Sequence, residues 1–265
     1  MRHCFVVRVF TRGDEGGNHL GIVTDVTGLT DETMQAIAAD LGYSETIFID
    51  SIAGGVPHVR IFTPTMEMPF AGHPLVGAAW LLNTLAPQPT PTLTCEIGAV
   101  ALSWDGARAW IEVALDQMVR PYPDFDGAGL GFGSVASTYL VDMPLSYVVA
   151  ELASPTDVAN YVPNEATLGG HRDGQHLSIW SHLGENTIQT RFFAPKMGIL
   201  EDPATGSAAV ALAATLRHRG DRNGALTLLQ GAEMGSPSEI SLTWNEDVAR
   251  LGGSVVRDEV RELAL

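Results

Sequence analysis

The sequence predicts an α+β protein made of two like halves, and three observations carry that reading. First, Arg60-Ile-Phe-Thr-Pro64 is echoed by Arg191-Phe-Phe-Ala-Pro195, 131 residues further along a chain of 265. Each copy reads as a short strand that ends at a proline. Each is followed by a helix start rich in small residues, Ala71-Gly72-His73-Pro74 and then Asp202-Pro203-Ala204-Thr205-Gly206-Ser207-Ala208. A repeat of half the chain length is far too long for a solenoid unit; it points to two halves related by a pseudo-two-fold axis. Second, residues 75–82 and 208–214 are apolar all round, and a helix without a polar face has to be enclosed on every side. Third, the strands come in pairs and meanders between few helices, which argues against a doubly wound βαβ fold. The expected architecture is two pseudo-symmetric domains side by side. Each is a barrel-like mixed sheet wrapped around one central apolar helix.

The elements follow in order. Residues 5–10 and 21–24 are the opening strands. Thr30 caps a helix with Asp31 and Glu32 in its first turn, where the helix dipole favours acids. Met34, Ile37, Ala38 and Leu41 fall on one face of it, and Gly42 is placed to end it. Residues 46–50 and 59–62 are strands, and residues 74–85 form the first core helix. Residues 93–97, 100–104 and 109–114 form a meander with a turn at Asp105-Gly106. Residues 119–134, with two prolines and a run of glycines, read as a linker between a half at 1–118 and a half at 135–265. The second half repeats the order. It has strands at 138–141 and 147–150, then a helix capped by Ser154 with Pro155 at its first position, running to about Val162. Strands follow at 176–180 and 187–193. The second core helix runs from Pro203 to Arg219, stopped by Gly220. Strands at 226–230, 239–244, 248–251 and 254–260 finish the chain, the last able to cross back to the first half.

Composition narrows the function. The net charge is −16 and Lys196 is the only lysine, so nucleic acid and anionic membrane surfaces are repelled. An anionic ligand would need a local site to overcome that field. Cys4 and Cys95 form no spaced framework, as expected of a reducing cytoplasm. The first residues read as a strand and not as a signal peptide, and no apolar stretch is long enough to span a bilayer.

The chemistry is concentrated at the two helix starts. Backbone N–H groups there are unpaired and carry partial positive charge. Gly72, Gly206 and Ser207 are small enough to let a ligand reach them. Two such ends aimed at one point would bind a carboxylate or an enolate-like oxygen; the plainer reading is close helix packing. Glu45, in Ser44-Glu45-Thr46, stands at the start of an apolar strand. It is either a solvated carboxylate or a partly buried one whose raised pKa suits a general acid and base. Asp202 reads as a helix cap or a site residue, and histidine is a poor cap, which makes His73 harder to dismiss. The glycine-rich stretch 127–133 lacks the strand, helix and Lys-Ser/Thr ending of a phosphate loop. His171, His176 and His182 lack metal-site spacing, so no metal is expected.

At these residues the chain resembles the phenazine-biosynthesis PhzF family of isomerase-like proteins over nearly its whole length. The marks are Gly17-Asn18, Ser44-Glu45-Thr46-Ile-Phe48, Arg60-Ile-Phe-Thr-Pro64, Ala71-Gly72-His73-Pro74 and Glu201-Asp202-Pro203-Ala204-Thr205-Gly206-Ser207-Ala208. The resemblance implies a diaminopimelate epimerase-like fold, a site between the domains, a homodimer, no cofactor and a small anionic substrate. It implies proton transfer by Glu45, with His73 and Asp202 catalytic and Ser207 also in the active site. Gly72 and Gly206 would meet the substrate through their backbone, and Asn18 would join the substrate-binding group. The family's known reaction isomerises trans-2,3-dihydro-3-hydroxyanthranilate. Two departures bear on substrate identity: His19 stands where the family usually has proline, and the chain is on the short side. The epimerase relatives place cysteines at the helix starts, and this chain has none there. An epimerase or racemase using Glu45 with another base, and a non-catalytic binding protein of the same fold, are the alternative readings.

Overall fold

The computed structural model describes residues 2–50, 55–85, 90–174 and 176–263. The first half runs β1 (Arg2–Thr11), β2 (Asn18–Thr24), α1 (Asp31–Leu41), β3 (Glu45–Ile49), β4 (Val59–Phe62), β5 (Glu67–Met68), α2 (Gly72–Leu85), β6 (Thr92–Cys95), β7 (Gly98–Trp104), β8 (Ala109–Ala114) and β9 (Met118–Pro121). The second half runs β10 (Val135–Asp142), β11 (Ser146–Leu152), α3 (Pro155–Asn160), α4 (Glu165–Gly170), β12 (Leu177–Gly184), β13 (Thr187–Ala194), β14 (Ile199–Asp202), α5 (Gly206–His218), β15 (Gly224–Gln230), β16 (Ser238–Trp244) and β17 (Val248–Leu263). The local signals act as written. The Thr30 hydroxyl accepts the Thr33 N–H, and Gly42, at φ 68°, ends α1 with its N–H on the Ala38 carbonyl. Asp105 makes the β7–β8 turn by accepting the N–H groups of Ala107 and Arg108.

In the first half the strands form a closed ring. β1 pairs β2, β2 runs parallel to β3, and β3 pairs β4. A bridge from His58 to Thr94 leads to β6, which pairs β7, then β8. β8 pairs β17, and β17 returns to β1. α2 fills this ring. In the second half β9, β10, β11, β12, β13, β15, β16 and β17 pair in sequence, with parallel steps at β11–β12 and β13–β15. α5 packs on their inner face and is buried from Gly206 to Leu216.

β17 stitches the halves together. Its residues Ala249 to Gly252 pair with β16 on one side and β8 on the other, and the rest of the strand runs along β1. The sequence reads two strands here, at 248–251 and 254–260; the structure makes them one. Gly252 and Gly253 look like a break but serve as the crossing point. A Cβ on Gly252 would lie 2.4 Å from the Trp110 ring, and strand glycines mark such close approaches. The segment 119–134 also departs from a plain linker. Its first residues belong to β9, which pairs β10, and Leu130 and Phe132 are buried under α3 and α4. The short elements β5, β9, β14 and α4 have no sequence signal of their own. They are two to six residues long, too short for a periodicity.

One apolar core runs through both halves and holds Leu75, Val76, Leu81 and Leu82 of α2 with Val210, Leu212, Leu216 and the alanines of α5. Leu81 is 1% exposed. Leu81→Asp is expected to destabilise by more than about 4 kcal/mol, since it buries an unpaired charge. A denaturant midpoint within error of the parent would contradict the enclosure of α2.

Candidate active site in the seam between the halves

The repeat motif reaches the seam by the same device twice. Arg60 of β4 grips Glu67 of β5 with two bonds of 2.6 Å. Arg191 of β13 grips Glu201 of β14 with two bonds of 2.7 Å. Such fork-to-carboxylate pairs fix geometry as well as charge. Each locks the short strand that leads, five residues after its glutamate, to the glycine opening a core helix.

Those glycines touch. A Cβ on Gly72 would lie 2.7 Å from the Gly206 Cα, and one on Gly206 would lie 2.8 Å from the Gly72 Cα. The two sets of unpaired helix N–H groups therefore meet at one place. The sequence puts the helix starts at Pro74 and Pro203; the structure puts them at Gly72 and Gly206. Pro74 is tolerated inside the first turn because its missing N–H would have had no partner there.

A polar network packs against the helix starts. Asn18, the first residue of β2, is 1% exposed. Its amide donates to Asp202 Oδ1 at 2.8 Å and to the Ala204 carbonyl at 3.1 Å. The Ser44 hydroxyl stands 3.0 Å from Asn18 Oδ1 and 3.1 Å from Asp202 Oδ1. Thr205 donates to Asp202 Oδ2 at 2.6 Å. Gln230, at the end of β15, donates to the Asp202 carbonyl at 2.8 Å and accepts the Thr205 N–H at 3.2 Å. Asp202 is thus not a helix cap. It ends β14, and its carboxylate is held by side chains from both halves.

Glu45 and His73 stand beside it. Glu45 opens β3 and its side chain is 12% exposed; Oε2 lies 3.3 Å from His73 Nδ1. That is an ion-pair distance without hydrogen-bond alignment, so Glu45 Oε2 is left without a hydrogen-bond partner, as is the buried Nε2 of His73. Buried orphan groups are uncommon and call for a reason; here two of them belong to neighbouring side chains.

Charge settles unequally across this group. Burial, then the nearby Asp202 charge, pushes the Glu45 carboxyl well above the usual range. Burial also raises Asp202, to about 6, against the pull of Thr205, Asn18 and Ser44. Asp202 has three donors and Glu45 has none, so the negative charge rests on Asp202 and the proton on Glu45. Burial lowers His73 to about 3, so its ring is neutral.

These shifts have a measurable sign. The raised Asp202 favours the folded state below pH 3.8, and that stability is lost as pH rises towards about 6. The lowered His73 acts oppositely, since below pH 6.5 the unfolded chain takes up a proton that the folded one refuses until about 3. In His73→Gln only the carboxyl effect remains. Its Tm should therefore rise relative to the parent as pH falls from about 6.5 to about 4. Parallel Tm curves for the two proteins would contradict the neutral, buried His73.

All seven residues named from the sequence, Asn18, Glu45, Gly72, His73, Asp202, Gly206 and Ser207, lie at this seam. Ser44 and Thr205 stand inside the quoted motifs, so the sequence offered them. Gln230 and Tyr147, whose hydroxyl donates to Ser207 Oγ at 2.8 Å, carry no sequence signal. A cleft of about 610 Å³ opens between the halves over Tyr43, Ser44, Pro64, Met197, Ile199 and Glu201. Among the described residues no cluster of three or more His, Cys, Asp or Glu can hold a metal ion. Among the described residues no helix is long and apolar enough to cross a membrane. Cys4 and Cys95 are buried, free and away from the helix starts.

The fold is the two-domain α+β fold of PhzF proteins, shared also by a hydroxyproline epimerase. The structure is similar to the PhzF-family protein of Enterococcus faecalis, with a TM-score of 0.85 at 22% identity over 100% of this chain and 99% of that one. A hydroxyproline epimerase from Agrobacterium vitis shares the fold at a TM-score of 0.65 and 10% identity, over 98% of this chain and 91% of that one. The chain belongs to the phenazine biosynthesis-like (PhzC-PhzF) family, which it matches over residues 7–128 and 135–257. It is 30% identical to a trans-2,3-dihydro-3-hydroxyanthranilate isomerase of Pseudomonas chlororaphis, over 90% of this chain and 88% of that protein. It is 33% identical to an uncharacterized isomerase of Mesorhizobium japonicum, over 97% of this chain and 96% of that protein.

Proposed function

We propose that this protein is a cofactor-independent isomerase that moves a proton on a small cyclic or α-substituted carboxylate held between its halves. The observation that carries the reading is Glu45, a seam carboxyl that holds its proton and leaves one oxygen unpaired. A carboxyl whose pKa is raised by burial holds a proton less acidically and can both take and return one, which one fixed in a salt bridge cannot. Glu45 acts as base from its carboxylate form, its own proton released to water before the substrate binds; it then removes a proton from one carbon, and electron density moves into the substrate towards its carboxylate. The proton returns to a different carbon, so the product is an isomer and nothing else is consumed. The converging helix N–H groups and Ser207 meet the charge that develops on the substrate oxygens. Asp202 keeps its own charge on Asn18, Ser44 and Thr205, and so orders the seam; neutral His73 can receive or pass the proton beside Glu45. Two copies acting as a homodimer belong to the same reading, and light scattering at low concentration tests that part.

The substrate named for the Pseudomonas relatives is the first to try. Incubation in D2O should place deuterium at a new carbon of trans-2,3-dihydro-3-hydroxyanthranilate or of a related small carboxylate. Deuterium returned to the same carbon with inverted configuration would make the protein an epimerase. Tight binding with no exchange on any trial substrate would make it a binding protein.

A further inference from the structure

The pseudo-two-fold axis pairs residues as well as strands. Counting from the two glycines that open the core helices, His73 in the first half corresponds to Ser207 in the second. Glu45 opens β3 beside Leu20 of β2 in parallel register. In the second half β11 and β12 are parallel with Val148 opposite Leu177, so the matching places are held by His176 and Tyr147. The first half thus sets Glu45 against His73. The second sets Tyr147 against Ser207, with His176 behind.

We infer that Tyr147 is a positioning residue that fixes Ser207 as a hydrogen-bond donor into the seam, on the opposite wall from Glu45. The Tyr147 hydroxyl donates to Ser207 Oγ at 2.8 Å. Burial holds this phenol near 12, so it stays protonated and donates. With its oxygen accepting from Tyr147, Ser207 has its own proton left over. No acceptor for that proton exists among the described residues, not even the helix carbonyl one turn back, where helical serines often bond. The proton is available to an oxygen of a molecule lying in the seam. Tyr147 is itself packed against two rings. Its ring lies 5.6 Å from Phe192, stacked, and 5.6 Å from His176. His176 keeps its place with φ at 45°, a region few non-glycine residues occupy; such conformations persist where the surroundings over-determine them. Tyr147 also borders the seam directly, since it lines a narrow gap with Phe70 and Met143.

This inference rests on the seam being the place where a carboxylate binds, and its test can be read without turnover. The probe is benzoate, a planar monocarboxylate, titrated calorimetrically into the parent, Tyr147→Phe, Ser207→Ala and the double variant. Tyr147→Phe keeps the ring and its stacking and removes only the hydroxyl. The expected result is benzoate affinity lowered about fivefold by Tyr147→Phe and about tenfold or more by Ser207→Ala. The double variant should be no weaker than Ser207→Ala alone. Unchanged affinity in Tyr147→Phe overturns the inference, as does a double variant in which the two losses multiply. A parent that binds no benzoate at millimolar concentration also overturns it, because Ser207 would then serve no carboxylate. If a substrate for exchange is found, the same four proteins should show the same pattern in kcat with an unaltered pH profile. Absence of exchange would count against the isomerase reading and leave the benzoate cycle standing.

Discussion

Glu45→Gln is expected to fold as the parent does, to bind benzoate with similar affinity, and to lose at least about a hundredfold in turnover. That factor is the low end of what a positioned general acid–base group contributes. Glutamine has nearly the size and shape of a protonated glutamic acid, and the Glu45 carboxyl holds its proton in the closed seam. Packing and hydrogen bonding around β3 should therefore change little, and what disappears is the ability to exchange a proton. Turnover and benzoate affinity are measured side by side. Unaltered turnover would move the proton-transfer role to His73 or Asp202, and loss of fold would make Glu45 a structural residue.

Gly72→Ala should do comparable damage by a mechanical route. Its new methyl would stand 2.7 Å from the Gly206 Cα and 3.0 Å from the Ser207 nitrogen. Both are backbone atoms at the start of a fully enclosed helix, so neither can swing aside as a side chain can. The two helix starts would be wedged apart by something near an ångström, which separates the donors that must act together. Displacement of that size can cost about a hundredfold in rate, and overpacking of this kind typically costs about 1–3 kcal/mol in stability. Gly55→Ala is the control, because a methyl there meets nothing within 4 Å. Parent-like turnover in Gly72→Ala would mean that the helix starts need not touch for the protein to work.

The two-halved plan, the enclosed helices and most of the candidate site were legible in the amino-acid order. The reason is that these signals are local. The apolar runs of α2 and α5 state their own burial. The Arg-to-Pro strands repeat within five residues, and the small residues at Gly72 and Gly206 stand next to the positions they serve. Tertiary structure alone decided the rest. Asn18 and Asp202 are 184 residues apart in the sequence, yet the Asn18 amide donates to Asp202 Oδ1 at 2.8 Å, and no periodicity spans that separation. The same holds for Tyr147 and Ser207, 60 residues apart, and for Gln230 beneath Asp202. β17 is one strand and not two because β8, β16 and β1 supply partners along its whole length. The protonation of Glu45 and Asp202 was also beyond the sequence. A carboxyl's pKa follows from how much water and how many donors surround it, and both are fixed only when the two halves close on each other.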